Sequence, residues 1–135
     1  MLELLRGVDL SARLARGPLA VEDAAALGLQ VCDALAFAHG RRVVHRDLSA
    51  ANVFLCEGGG LDARVLDFGV ARVAGERTLT APDGLVGTLP YMAPEQCRGE
   101  RDVDHRADLY ALLSLIHISE PTRRTPISYA VFCLK

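Results

Sequence analysis

The sequence predicts an α+β fold, and three observations carry that prediction. Across residues 21–39, Ala24, Leu27, Val31, Leu35 and Ala38 recur every three or four positions, the repeat of one helix face turned toward a core. Residues 53–55 and 63–66 are short apolar runs of strand length, separated by the glycine turn Glu57-Gly58-Gly59-Gly60. Helical character returns at Glu95 and again across residues 106–112.

Taken in order, residues 1–5 form a short apolar, strand-like start around Glu3. Leu10 and Leu14, four apart, suit a short helix that Gly17-Pro18 ends. Glu22 and Asp23 fall in the first turn of the long helix, where carboxylates meet the positive end of the helix dipole. Val43 and Val44 make a further strand-like run. The glycines of residues 58–60 permit positive φ, and no helix start follows them, so they are a turn and not a phosphate cradle. Residues 75–86 are polar and carry Thr78 and Thr80. In the last helix Leu109 and Leu112, three apart beside Asp108, predict that this carboxylate is buried, where it needs hydrogen-bond partners.

The chain has 135 residues, room for one small domain, and half of them are apolar, enough for a core. No apolar run is long enough to span a membrane. No basic-then-apolar leader opens the chain, so secretion is not expected. The formal charge of −2, without a long basic tract, argues against nucleic acid as a partner. Cys32, Cys56, Cys97 and Cys133 lack paired spacing and read as reduced thiols of a cytoplasmic protein.

The chemistry concentrates in three side chains. Asp47 and Asn52 lie five residues apart in a polar loop between apolar runs, and Asp67 ends the next run. Asn52 and Asp67 offer hard oxygens suited to Mg²⁺, which uses few protein ligands and completes its shell with substrate phosphates. Asp47 is left to accept a proton from an attacking hydroxyl.

The strings around these residues resemble the eukaryotic-type protein kinase family. His45-Arg46-Asp47-Leu48-Ser49-Ala50-Ala51-Asn52 matches its catalytic loop and Asp67-Phe68-Gly69 its metal-binding turn. Gly87-Thr88-Leu89-Pro90-Tyr91-Met92-Ala93-Pro94-Glu95 is similar to the segment that closes its activation loop. The resemblance implies a partial protein-kinase-like fold, mainly the helical C-lobe with short β-hairpins around the catalytic loop. It implies ATP and Mg²⁺ as cofactors and a protein substrate phosphorylated on Ser or Thr, with Ala50-Ala51-Asn52 the one string closer to tyrosine kinases.

By the same resemblance Asp47 is the catalytic base, Asn52 and Asp67 hold the metal, and Thr88 lines the substrate hydroxyl site. Leu2 is the gatekeeper, Glu3 and Leu5 bond the adenine edge through their backbones, Asp9 sits near the ribose, and Phe54 lies under adenine. Arg46 pairs with a phosphate on Thr80 or Thr78, and Asp108 accepts hydrogen bonds from the catalytic-loop backbone. Ser49 stands where serine/threonine kinases commonly carry a lysine, so a charge is missing there. The family's glycine-rich loop, strand lysine and helix glutamate are not in the sequence. The chain is therefore read as a fragment that catalyses nothing measurable by itself. The alternative is a pseudokinase-type interaction module, which Ser49 favours and the intact Asp47, Asn52 and Asp67 oppose.

Composition changes sharply near residue 112. Residues 1–112 hold twelve arginines but no lysine or isoleucine, whereas the last 23 residues hold three isoleucines and Lys135. Residues 113–123 and 127–134 resemble translated transposase-type sequencing adapter and its adjoining primer. Residues 1–112 are accordingly read as the partial kinase domain and 113–135 as a non-native tail, with the last helix cut short at Leu112.

Overall fold

Strand β1 (Gly7–Asp9) runs straight into helix α1 (Leu10–Leu14), because Asp9 serves both. In the computed structural model its carboxylate accepts from the backbone N–H of Ala12 at 2.9 Å and from the Ser11 hydroxyl. An acidic N-cap of this kind stabilises a helix start by about 1 kcal/mol. The structure describes residues 5–58, 60–68, 89–100 and 102–119.

Helix α2 spans Val21–His39 with the bounds its apolar repeat predicts, and buries Ala24, Leu27, Val31, Leu35 and Ala38. A 3₁₀ turn (Ala50–Asn52) leads into β2 (Val53–Cys56), which pairs antiparallel with β1 on one side and with β3 (Asp62–Val65) on the other. The register sets Gly7 opposite Cys56 and Val53 opposite Val65. Gly7 has φ of 153°, and a Cβ there would lie 1.9 Å from the Leu55 carbonyl oxygen, so only glycine lets the two strands approach. A second 3₁₀ turn (Leu89–Tyr91) and helix α3 (Pro94–Cys97) precede the last helix, α4 (Arg106–Ser119).

The core forms where α2 meets α4, α1 and the loop before β2. Leu10, Leu27, Val31, Leu35, Leu48, Val53 and Leu115 are its fully buried large apolar side chains among the described residues. Gly28 admits the side chain of Ile116, whose Cδ1 would be 3.0 Å from a Cβ at that position. Across the sheet side, Gln30 of α2 acts as a substitute strand neighbour for β3. Its Nε2 donates to the Leu61 carbonyl at 2.7 Å and its Oε1 accepts from the Ala63 N–H at 2.7 Å.

Three expectations need correcting, and a fourth, the strand-like start at residues 1–5, falls outside the described residues except for Leu5, which precedes the strand Gly7–Asp9; Leu2 and Glu3 are among the residues not described. Val43 and Val44 are not a strand, because the Val43 N–H closes helix α2 on the Ala38 carbonyl at 3.0 Å and Arg42 turns the chain with φ of 60°. Leu109 is 43 % exposed, leaving Leu112 alone of the pair in the core. Finally, the last helix does not stop at Leu112. Leu115 and Ser119 continue the buried stripe at three- and four-residue spacing, and extending a formed helix is far easier than starting one. Its end is tied to the core by the Leu19 N–H on the Ser119 carbonyl at 3.1 Å. The change in composition is therefore no break in structure up to residue 119. Among the described residues no helix is long and apolar enough to cross a membrane.

Candidate active site

The loop from His45 to Asn52 hangs from one buried carboxylate. Asp108 on α4 is 1 % exposed, and its Oδ1 accepts from the Arg46 N–H at 2.7 Å while Oδ2 accepts from the His45 N–H at 2.8 Å. His39, the last residue of α2, donates from Nε2 to the same Oδ2 at 2.8 Å. Three donors around one carboxylate satisfy a group that burial would otherwise make costly. The expected role of Asp108 as acceptor for the loop backbone is what the structure contains.

His45 carries the anchoring forward. It is 2 % exposed; its Nε2 donates to the Leu66 carbonyl at 2.8 Å and its Nδ1 accepts from the Asp47 N–H at 3.3 Å. Both roles are met by the tautomer with its proton on Nε2. The His45 ring meets the Phe68 ring edge-on, centroids 4.8 Å apart. Leu48 and Ala50, both buried, fasten the middle of the loop to the core together with Ser49, while Asp47 on the near side stays exposed.

Asp47, Asn52 and Asp67 are brought to one edge by these contacts. Asn52 donates from Nδ2 to the Asp47 carbonyl at 2.7 Å and lies 3.4 Å from Asp47 Oδ2. The Asn52 carbonyl accepts from the Leu66 N–H at 2.9 Å, which sets the next residue, Asp67, beside the loop. Asp67 and Arg46 adopt left-handed backbone, φ 57° and 66°, unfavourable for residues with a Cβ and typical of functional turns. Asp47 and Asp67 are exposed. With Nδ2 of Asn52 committed to Asp47, its Oδ1 and the Asp67 carboxylate remain as hard oxygen donors. That pair fits Mg²⁺, which needs only one or two protein ligands beside phosphate oxygens. Among the described residues no group of three or more His, Cys, Asp or Glu could form a closed metal cage.

The remaining expected site residues are more scattered. Ser49 is 5 % exposed and packs inward. Arg46 is exposed and reaches the Val103 carbonyl at 3.3 Å. Asp9 spends one carboxylate oxygen on the α1 cap, and that cap holds its carboxyl below the usual carboxylate range, chiefly through the Ser11 hydroxyl and then the Ala12 N–H. Phe54 is half-buried in β2, opposite Asp9 and Arg64 in the register, and Leu5 is half-buried before β1. Leu2, Glu3, Gly69, Thr78, Thr80 and Thr88 lie outside the described residues. Burial pushes the Tyr91 phenol up, opposed by a backbone hydrogen bond at Ala50.

Two contributors have no counterpart in the sequence reading. His39 was visible as the polar end of an apolar helix repeat, and a carboxylate holding two backbone N–H groups leaves room for a third donor. Gln96 of α3 donates from Nε2 to the Arg46 carbonyl at 2.6 Å, and no spacing or composition signals that contact.

Known structures share this architecture. The kinase domain of Mycobacterium tuberculosis PknI is 31% identical with a TM-score of 0.66, over 96% of this chain and 49% of that one. The chain thus has part of a kinase-like α+β fold. A family model described as protein kinase domain matches residues 1–128, and the chain belongs to that family. It is similar to serine/threonine-protein kinase Pkn1 of Myxococcus xanthus, 48% identical over 115 residues, 83% of this chain and 16% of the relative. It is also similar to serine/threonine-protein kinase PkaA of Streptomyces coelicolor, 41% identical over 119 residues, 87% of this chain and 22% of the relative. The chain therefore spans less than a quarter of the length of these relatives.

Proposed function

We propose that the chain is the catalytic-loop part of a bacterial serine/threonine protein kinase, the helical lobe of a domain that moves the ATP γ-phosphate to protein Ser or Thr hydroxyls. The observation that carries this is the junction of Asp47, Asn52 and the Leu66-Asp67 turn, held by Asp108 and His45. In this reading Asp47 orients the substrate hydroxyl and takes its proton. Asn52 keeps the Asp47 backbone in place through Nδ2 and presents Oδ1 to the metal beside Asp67. Bound Mg²⁺ supplies charge neutralisation and alignment of the phosphate oxygens. Arg46, exposed and bonded through its guanidinium to the Val103 carbonyl, would turn from there to meet a phosphate on Thr80 or Thr78, and Thr88 lines the hydroxyl site. Leu2, Glu3, Leu5, Asp9 and Phe54 border the nucleotide. Ser49 brings no charge to the phosphate, so electrostatic stabilisation falls to the metal and other residues.

ATP as co-substrate and the absence of a basic tract favour a cytoplasmic setting with a protein partner and no nucleic acid. The 135-residue chain alone is proposed to be inactive, and residues 113–135 to derive from sequencing adapter; a fresh read of the source DNA across codon 112 checks the second point. For the chemistry, the decisive variant is Asp47→Asn in a complete domain. Phosphate transfer should fall by at least about 100-fold while Mg-dependent ATP binding, read as a thermal shift, persists. Retained transfer would refute the assignment of the base.

A further inference from the structure

The peptide joining Arg46 to Asp47 is held in place from the far side by Gln96. Arg46 has φ of 66°, so its backbone does not stay in this conformation by preference. Its N–H is fixed by Asp108 at 2.7 Å. The next peptide is fixed by Asn52, which donates to the Asp47 carbonyl at 2.7 Å. Between the two, the Arg46 carbonyl is turned toward α3 and accepts from Gln96 Nε2 at 2.6 Å. The other end of the same side chain is also committed, since Gln96 Oε1 accepts from the Ala93 N–H at 3.1 Å. Ala93 has no side-chain acceptor of its own, so Gln96 both closes the start of α3 and ties that start to the loop.

We propose that Gln96 is a positioning residue for Asp47. Its amide couples the Ala93–Gln96 turn, on the downstream side of the activation segment, to the backbone of the catalytic loop without using any charge. This rests on the reading of Asp47 as the base. A rotation of the Arg46–Asp47 peptide would release the Arg46 carbonyl and swing the Asp47 Cα, misaligning the carboxylate while leaving the oxygen donors of Asn52 and Asp67 near their places. The expected signature is lost turnover with unchanged nucleotide affinity.

Gln96→Glu separates the two halves of the contact. The carboxylate can still accept from the Ala93 N–H but cannot donate to Arg46, and it sets a negative oxygen against the Arg46 carbonyl. In a complete domain, kcat should fall about tenfold, the scale of one lost hydrogen bond in the aligned state, with KM for ATP within about twofold of the parent. Positive φ at Arg46 gives a strong intraresidue amide-to-Hα nuclear Overhauser effect, and that signal should weaken in the variant. Gln96→Met, equal in size and without charge or amide, should do the same and decides the matter if Gln96→Glu fails to fold. Unchanged kcat and an unchanged Arg46 signal overturn the proposal. So does a fall in kcat matched by a rise in KM for ATP, which is the mark of general loosening. If the parent domain itself transfers no phosphate, the kinase reading fails instead, and the Arg46 signal alone then judges the Gln96 contact.

Discussion

Replacing Asp108 with asparagine removes one oxygen and little else, and its consequence can be worked from the contacts. Oδ2 receives two donors, the His45 N–H and His39 Nε2, and Oδ1 receives the Arg46 N–H. The amide oxygen of asparagine is best placed at the doubly occupied position, which turns its NH₂ against the Arg46 N–H. One charge-assisted hydrogen bond is lost, about 1.5–3 kcal/mol, and a donor is left facing a donor in a site 1 % exposed. Rearrangement of the exposed Arg46 recovers part of this, so a loss of about 3 kcal/mol is expected, a large share of the ~5–15 kcal/mol available to a folded domain. Urea denaturation followed by circular dichroism measures it as a midpoint lowered by about 1–2 M. Asp104→Asn is the control: Asp104 pairs with Arg106 at the surface, and its loss should leave the midpoint where it was. A change at Asp108→Asn within about 0.5 kcal/mol of the parent would show that the carboxylate does not hold the loop.

Two further outcomes are expected. Gly7→Ala drives a Cβ into the Leu55 carbonyl, so β1 should separate from β2, and the Glu57 N–H, now bonded to the Arg6 carbonyl at 2.8 Å, should lose protection from hydrogen exchange. Gly60→Ala, with nothing within 4 Å of its Cβ, should leave exchange unaltered, and equal protection in both variants would refute the clash. The second concerns acid. The folded carboxyl of Asp9 lies below its ordinary value of 3.8, so its contribution to stability is present above that pH and is lost as pH falls through the folded value. Asp9→Ala should therefore lower stability by about 1 kcal/mol at pH 6 and converge with the parent in strong acid, and parallel curves would count against the cap.

Much of the architecture was legible because it rests on periodicity. Helix α2 has a single buried stripe from Ala24 to Ala38, and nothing tertiary competes with it. The nearness of Asp47, Asn52 and the Leu66-Asp67 turn was legible because short polar side chains at the ends of apolar runs can converge. Val43 and Val44 misled because β-branched residues favour extended backbone, and here the backbone closes a helix. Leu113 to Ser119 misled in the other direction. Their composition differs from what precedes them, but a helix reads only spacing, and Leu115 and Ser119 fall on the buried face. Gln30 and Gln96 were illegible for a common reason. An amide side chain that pairs with main chain far away in sequence leaves no trace in neighbouring residues.

The placement of Asp108 explains how so complete a loop can stand on so small a sheet. The three strands contribute Val53 to the core and the Leu66-Asp67 turn to the site, but the backbone of His45 and Arg46 is held by α4, and the carboxylate that holds it is oriented by the end of α2. The start of the loop, at His45 and Arg46, is therefore tied to the packing of two helices. The residues proposed to border adenine are held separately, before α1 and along β2. A lesion in the α2–α4 contact, such as a bulky residue at Gly28 under Ile116, should disturb Asp47 before it disturbs the sheet. The converse holds for Gly7. The two glycines thus mark separable contacts, one between α2 and α4 and the other between β1 and β2.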